Sequence, residues 1–161
     1  MDTVDRDQPF CREFRYEAGG QPTFILYSDQ MLVDMERFYL RTCPIPPSPM
    51  AVDTTFNIGE FYFTETTYKN YAVVRQENGR YPWFPGPVLV HRNQRKEDFQ
   101  YFWEAVCRYK TSLKEIAIIG SDECSAMYNG IKSVATNAAI LFGIEHVEAN
   151  VRKKLEDLHF P

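Results

Sequence analysis

Two aspartates lie where carboxylates could take part in chemistry. Asp53 is in the middle of Met50–Ile58, a segment rich in Val, Thr and Phe in which alternate residues point the same way. Strands disfavour aspartate, so this position indicates a role beyond strand formation. Asp122 follows the apolar run Ile116–Ile119, near the carboxyl end of a predicted strand. Open α/β sheets bind their ligands at such strand ends.

Carboxylates at neighbouring positions of a sheet favour a divalent cation. Two such groups repel each other, and Mg²⁺ or Mn²⁺ relieves that repulsion through hard oxygen ligands. The chemistry would be metal-assisted hydrolysis or transfer of a phosphodiester. Two alternatives stay open on the residues alone. Asp122 could cap the helix that follows it, and Asp53 could be a partly exposed strand residue.

The remaining candidate ligands lack the spacing of a metal site. His146 precedes a predicted helix, where it could be a ligand, a proton carrier or a surface residue. His91 and His159 have no partner at metal-binding spacing. No Cys-x-x-Cys pair is present, so the scattered cysteines are expected to be free thiols: Cys11, Cys43, Cys107 and Cys124.

Aromatic and basic residues raise the question of nucleic-acid binding. Tyr81, Trp83 and Phe84 could stack on bases, but the prolines among them favour a packed loop. Two basic clusters are candidates for DNA contact, with a solvated surface as the alternative. They are Arg92, Arg95 and Lys96 in the first cluster and Arg152, Lys153 and Lys154 in the second.

The composition is that of one folded domain. The chain has 161 residues, of which 44% are hydrophobic, enough to bury a core. Its formal charge of −4 argues against a self-sufficient nucleic-acid-binding module, but a nuclease-type domain has an acidic site of its own. No uncharged run reaches the roughly 20 residues of a membrane helix, and no signal peptide opens the chain. We therefore expect a nuclear or cytoplasmic protein that is neither secreted nor membrane-bound.

Three segments divide the chain. Residues 1–20 are polar and are expected to form a leader. Residues 21–49 contain a short apolar strand, a helix capped by Ser28 or Asp29, and a linker with four prolines that can be neither helix nor central strand. Residues 50–161 form the main predicted domain.

The periodicity of the main domain predicts the order β-β-β-α-β-α-β-α. Alternating strands come first, and apolar residues at helical spacing then alternate with short buried strands. This order predicts an α/β fold with a mixed sheet, in which the first three strands are antiparallel, crossovers join the later ones, and helices cover the faces. The predicted strands are Met50–Ile58, Phe61–Tyr68 continued by Tyr71–Val74, Val88–His91, Ile116–Ile119 and Ala139–Phe142, and the predicted helices are Lys96–Lys110, one from Ser125, and Glu145–Leu158.

Five short motifs follow one another along the chain in a familiar order. They are Val52-Asp53-Thr54-Thr55-Phe56-Asn57-Ile58-Gly59, Thr66-Thr67-Tyr68, Gly86-Pro87-Val88-Leu89-Val90-His91, Ile119-Gly120-Ser121-Asp122 and Glu145-His146-Val147-Glu148-Ala149-Asn150. This ordered set resembles the catalytic domain of Mutator-like (MULE) transposases. The resemblance implies a ribonuclease-H-like fold with an Asp-Asp-Glu (DDE) metal site, which cleaves and transfers DNA strands with Mg²⁺ or Mn²⁺.

The resemblance assigns roles to three residues. Asp53 matches the first catalytic aspartate and Asp122 the second, both as metal ligands, and His146 matches the histidine of a Cys-x-x-His motif. It also implies that the partner is DNA at transposon ends and that recognition domains lie outside this chain. Action in the nucleus and the formation of oligomers are further expectations of the resemblance.

Three departures from the family pattern bear on activity. Gly143 stands where the motif has cysteine, and Cys124 stands where an acid often follows the second aspartate. The family's third acid is a glutamate on a later helix, and Glu156, the only late helical glutamate, is too close to His146 for that role. The chain is therefore expected to be an incomplete or inactive core. The alternative is a domesticated, non-catalytic domain that binds DNA or protein, with a cellular ribonuclease-H-like nuclease as a less favoured third reading.

Overall fold

The computed structural model describes residues 9–16, 21–44, 48–122 and 124–143. Within these ranges the chain forms seven strands, three α-helices and one 3₁₀ turn, Thr111–Glu115. The helices are α1 (Asp29–Tyr39), α2 (Lys96–Tyr109) and α3 (Ser125–Lys132). The strands are β1 (Cys11–Arg15), β2 (Thr23–Leu26), β3 (Met50–Ile58), β4 (Phe61–Lys69), β5 (Trp83–His91), β6 (Ile118–Ser121) and β7 (Ala139–Phe142).

One mixed sheet contains all of these strands, in the order β1-β2-β5-β4-β3-β6-β7. Each neighbouring pair from β1 to β3 is antiparallel, whereas β3, β6 and β7 run parallel to one another. The parallel strands β6 and β7 are joined through α3, because a parallel pair needs a crossover connection. The predicted α/β class with a mixed sheet is confirmed.

The described helices pack against one side of the sheet, here called the helix-covered face. Their apolar stripes form one buried cluster with Val52, Leu89 and Ile119 of the sheet. None of these helices is both long and apolar enough to span a membrane. The stripe that helical spacing predicts for α2 is fully buried at all four positions: Phe99, Phe102, Trp103 and Val106.

Helices α2 and α3 pack tightly against each other at Gly130 of α3. A Cβ atom on Gly130 would lie 2.6 Å from the carbonyl oxygen of Lys96, 2.7 Å from the Cβ of Phe99 and 2.9 Å from the amide nitrogen of Gln100. Two of these three atoms belong to the backbone of α2. Only glycine permits such an approach without moving a whole helix.

The β3–β4 hairpin contains a bulge that sets its register. Gly59, with φ of +65°, turns the chain, and Ile58 pairs with Phe61. The register shifts by one residue between Thr55 and Ile58, so that Asp53 pairs with Glu65. A regular hairpin would have paired Asp53 with Thr66. Thr66 would then share a face with Asp53, and Glu65 would lie on the opposite face.

A second bulge lies in β5, where Gly86 and Pro87 stand opposite the single residue Thr66. The Thr66 hydroxyl donates a hydrogen bond to the carbonyl of Pro87 over 2.8 Å, and a Cβ on Gly86 would overlap that hydroxyl. The sequence predicts a loop as far as Pro87, but the strand begins at Trp83. The bulge explains why the strand extends through this segment, because it accommodates Pro87, which has no N–H to donate.

The N-terminal segment differs from the prediction. Cys11–Arg15 falls within the predicted leader but forms an edge strand paired with β2, which in turn pairs with β5. Residues on both sides of the proline-rich linker therefore belong to one sheet. The sequence does not predict β1 as a strand because three of its five residues are charged. They have partners on α2, because Glu13 accepts a hydrogen bond from Tyr101 and Arg15 lies 3.2 Å from Asp98.

Further along the chain, two other limits differ from the predicted ones, and one predicted helix is not tested. Tyr71–Val74 belongs to the connection between β4 and β5 and is not a strand. Ile116 forms an isolated bridge with Leu40, and β6 begins two residues later. The predicted helix Glu145–Leu158 lies outside the residues that the structure describes.

Candidate functional site

Asp53 and Asp122 occupy neighbouring positions of the sheet. Strands β3 and β6 are parallel partners, and Val52 pairs with Ser121. Asp53 and Asp122 are the next residues along the two chains, and neighbouring strands lie about 4.8 Å apart. The strand neighbours that the carboxylate pair requires are therefore present, at the point where β6 ends.

Glu65 is a third carboxylate beside this pair, and the sequence analysis does not single it out. It pairs directly with Asp53 across the β3–β4 hairpin and so lies on the same face of the sheet. That face is opposite to the helix-covered one, because the adjoining Val52 and Thr54 point towards the helices and are buried. Glu65 and Asp53 are paired across β4 and β3, and Asp122 directly follows the end of β6, the other neighbour of β3. These three residues are here called the carboxylate row.

Each aspartate of the carboxylate row uses one oxygen within the protein. Oδ1 of Asp53 accepts the N–H of Thr54 at 2.9 Å, and Oδ1 of Asp122 accepts the N–H of Cys124 at 3.1 Å. The capping alternative for Asp122 holds only in part, because Cys124 precedes the first residue of α3. Within the described residues no cation forms an ion pair with the row. The second oxygen of each aspartate has no protein partner there.

The chemistry of these donors suits a hard divalent cation only in part. Asp53 is exposed and Asp122 is half-buried, so both can reach a hydrated ion. However, the described part of the chain holds no group of three or more His, Cys, Asp or Glu residues arranged to hold a metal. The carboxylate row is thus a partial ligand set. The third residue assigned by resemblance, His146, lies outside the described residues, as does Glu156.

The four cysteines are free and do not form a site. Cys11 is exposed, Cys43 and Cys124 are half-buried, and Cys107 is buried in α2. Burial raises the pKa of the Cys107 thiol to about 12, so this thiol stays protonated at neutral pH. The four positions agree with the expected free thiols.

His91 of β5, which pairs with Tyr62 of β4, takes part in a chain of buried hydrogen bonds. Its Nδ1 is 2.6 Å from the carbonyl of Asn93, and its Nε2 is 2.8 Å from the hydroxyl of Thr64. A carbonyl only accepts, so Nδ1 carries the proton and Nε2 accepts from Thr64. The Thr64 hydroxyl in turn accepts from Thr54, the residue after Asp53, over 2.8 Å. We call this chain the threonine–histidine relay.

The environment of the relay keeps His91 neutral. The side chain is 1% exposed, and burial is the main cause that lowers its pKa from the ordinary value of 6.5. The hydrogen bond to Asn93 and the charge of Asp98 oppose this shift without cancelling it. His91 therefore acts as a structural hydrogen-bonding group that ties β3, β4 and β5 together.

The first predicted basic cluster is engaged by carboxylates. Arg92 forms an ion pair with Glu60 and donates to Gln21 at 2.6 Å. Arg95 bonds Asp98 within the first turn of α2. These arginines are thus partly neutralised, which weakens the case for phosphate binding there. The second cluster, residues 152–154, lies outside the described residues.

The aromatic run before β5 is packed only in part. Phe84 contacts Tyr68 edge to face, as the packed-loop prediction requires. Tyr81 and Trp83, in contrast, are 44% and 46% exposed. The predicted loop is therefore wrong for Trp83 and Phe84, which belong to β5, and of the three aromatic residues Phe84 is the one that is not exposed.

Comparison with known proteins gives no match. No family description, no curated protein and no solved structure matches this chain. The sequence motifs and the carboxylate row are therefore the basis for a functional assignment.

Proposed function

We propose that this chain is the catalytic core of a Mutator-like transposase with a ribonuclease-H-like fold. The observation that carries the proposal is the parallel pairing of β3 with β6, which brings Asp53 beside Asp122. The antiparallel strands β3 to β5, followed by the parallel strands β6 and β7, agree with such a fold. DNA is the proposed substrate, the nucleus is the proposed site of action, and transposon ends would be recognised by domains outside this chain.

Asp53 and Asp122 are the residues that would hold Mg²⁺ or Mn²⁺. Asp53 is held in the middle of β3 by its pairing with Glu65 of β4, and the preceding residue, Val52, is also paired with β6. Asp122 is oriented by the N–H of Cys124. When bound there, a divalent cation would activate water and stabilise the leaving oxygen of a phosphodiester. His146 and a third acid would complete the site from outside the described residues.

A domesticated, non-catalytic domain that binds DNA or protein is the second candidate. It is favoured by the incomplete ligand set of the described residues and by Gly143 at the position of the motif cysteine. Such a domain would keep the sheet and the carboxylate row but would not cleave DNA. The two candidates therefore differ in their response to divalent ions.

We expect Mg²⁺ or Mn²⁺ to stabilise the chain through the carboxylate row. A ligand that binds only the folded state at about ten times its Kd adds about 1.4 kcal/mol, which for this chain length raises Tm by about 3–6 °C. Asp53→Asn and Asp122→Asn should each abolish this response. In EDTA the same variants should be at least as stable as the unmodified chain, because one charge of a repelling row is removed. Thermal unfolding with and without the ion measures both effects.

The matched control is Glu97→Gln, which removes an exposed carboxylate on α2, away from the row. This variant should keep the full response to the metal. Conversion of supercoiled plasmid to nicked product in Mn²⁺, if it is lost in Asp53→Asn, supports the catalytic core over the non-catalytic domain. If Asp53→Asn responds to metal as the unmodified chain does, the row does not bind the ion and the catalytic proposal is wrong.

A further inference from the structure

The connection between β4 and β5 is long and internally ordered. It spans residues 70–82 and is tied back to itself by backbone hydrogen bonds, from Asn70 to Pro82 over 3.0 Å and from Arg75 to Arg80 over 2.9 Å. Gly79, with φ of +67°, closes its tip. Connections of this length in compact domains commonly have a function of their own.

Two aromatic side chains are exposed where this connection leads into β5. Tyr81 and Trp83 are 44% and 46% exposed. Tyr81 packs against Tyr71 with ring centroids 4.9 Å apart, and Tyr71 packs against Phe38 of α1 at 5.6 Å. The exposed ring of Tyr81 is therefore held by the core, and a partner would not need to order it first.

The same segment carries a positive charge that contrasts with the rest of the chain. Lys69, Arg75 and Arg80 stand against the single carboxylate Glu77, in a chain whose formal charge is −4. Arg75 and Arg80 are exposed, and no ion pair within the described residues neutralises either of them. The ammonium of Lys69 lies 5.2 Å from the ring centre of Trp83. Cations and stacking surfaces are thus interleaved.

The bulge in β5 places Trp83 on the face of the carboxylate row. Lys69 pairs with Trp83 on one side of the bulge, and Glu65 pairs with Val88 on the other side. Lys69 and Glu65 are four residues apart on β4, so they share a face and lie about 13 Å from each other. A strand that crosses the carboxylate row could continue onto the aromatic rings at this distance.

We propose that the segment Lys69–Trp83, here called the aromatic platform, binds a single strand of nucleic acid. Bases stack on Trp83 and Tyr81, and phosphates are contacted by the cations interleaved with them. The charge of the platform selects a polyanion over an ordinary protein surface. The identification of that strand as DNA rests on the proposed function, for which the platform supplies the substrate contact that the carboxylate row lacks.

Tryptophan fluorescence reports binding directly, because the chain has two tryptophans and only one is accessible. Trp103 is fully buried, whereas Trp83 is half exposed. We expect an oligothymidylate of about 12 nucleotides to quench Trp83 saturably at low salt. The titration is done in EDTA, so that a failure of the metal site and a failure of the platform are distinguishable. A dye-labelled copy of the oligonucleotide gives the affinity of variants that lack Trp83.

Stacking and charge are tested by separate variants. Trp83→Ala should weaken binding about 5- to 100-fold, the usual effect of losing one stacked base. Tyr16→Ala removes another exposed aromatic residue, which directly follows β1, and should change nothing. For a strand that contacts three cations, affinity should fall about 20-fold between 50 and 200 mM salt. Arg75→Gln with Arg80→Gln should reduce this dependence, while Lys132→Gln on α3 should not.

Two results would overturn the proposal. One is an oligonucleotide affinity that Trp83→Ala leaves unchanged in a variant with the circular dichroism of the unmodified chain. The other is a dimer in sedimentation that the Trp83 and arginine variants dissociate, because the platform would then be a contact between copies of this chain. Loss of binding in Trp83→Ala with retention in Asp53→Asn supports the platform whatever the metal experiments give.

Discussion

Replacement of Gly130 by alanine is expected to lower Tm by about 6–12 °C. The added Cβ meets the carbonyl oxygen of Lys96 at 2.6 Å and the amide nitrogen of Gln100 at 2.9 Å. Both atoms belong to the backbone of α2, which cannot move without displacing its buried stripe. Overpacking of this kind costs about 3 kcal/mol, and each kcal/mol shifts Tm by about 2–4 °C at this chain length. Thermal and urea unfolding measure the effect.

The sign of this change is informative, because helix propensity alone predicts the opposite. In an open helix, glycine to alanine stabilises by about 1 kcal/mol. Asn129→Ala changes the exposed neighbour in the same helix and should therefore be neutral or slightly stabilising. If Gly130→Ala proves as stable as Asn129→Ala, α2 and α3 do not touch at this position.

The sequence is a good guide wherever one side of an element is buried. The four-residue stripe of α2 and the alternation of β3 predict their elements, because burial of one face imposes the period of the backbone. Periodicity does not give the adjacency of Asp53 and Asp122, because Asp53 lies in the middle of its strand and nothing in the pattern makes that strand a neighbour of the one before Asp122. The fold class and the two candidate aspartates are accessible from the sequence, whereas their adjacency comes from the pairing of β3 with β6.

The third member of the carboxylate row could not be predicted in the same way. Counting back from the turn at Gly59 in a regular hairpin would have placed Thr66 opposite Asp53. The one-residue shift between Thr55 and Ile58 puts Glu65 there instead. A bulge depends on tertiary packing and leaves no periodic signal, so the sequence contains the glutamate but not its position.

The same reasoning applies to the aromatic platform. The prolines before Val88 predict a loop, and a loop gives no indication of the face on which Trp83 lies. The bulge of Gly86 and Pro87 opposite Thr66 decides that face. The two bulges therefore determine which residues lie with Asp53 on the face of the sheet opposite to the helix-covered one.

Acidification is expected to destabilise the protein through His91. Burial lowers the pKa of this side chain below its ordinary value of 6.5, so the unfolded chain binds a proton more readily than the folded one. The contribution of neutral His91 to the free energy of unfolding is therefore fully present above about pH 6.5. It is lost as the pH falls towards the lowered pKa of His91, by up to about 1.4 kcal/mol per pH unit. Urea unfolding between about pH 7 and pH 5 measures this slope.

Variants of the other two histidines show which one is responsible. His146→Gln combined with His159→Gln should retain the full pH dependence, whereas His91→Leu should remove the part due to histidine. His91→Leu should also cost about 1–3 kcal/mol at neutral pH, because the Thr64 hydroxyl and the Asn93 carbonyl lose their buried partner. A pH dependence that persists in His91→Leu would assign the titration to another group.

The relay makes this titration relevant to the carboxylate row. A protonated His91 has no acceptor left at Nε2, so the Thr64 hydroxyl loses its acceptor and the bond from Thr54 loses its orientation. Thr54 adjoins Asp53 on β3. We therefore expect acid to weaken metal binding more than carboxylate protonation alone would, and Thr64→Val to weaken it at neutral pH with both aspartates intact. An unchanged metal response in Thr64→Val would show that the backbone of β3 holds Asp53 without help from the relay.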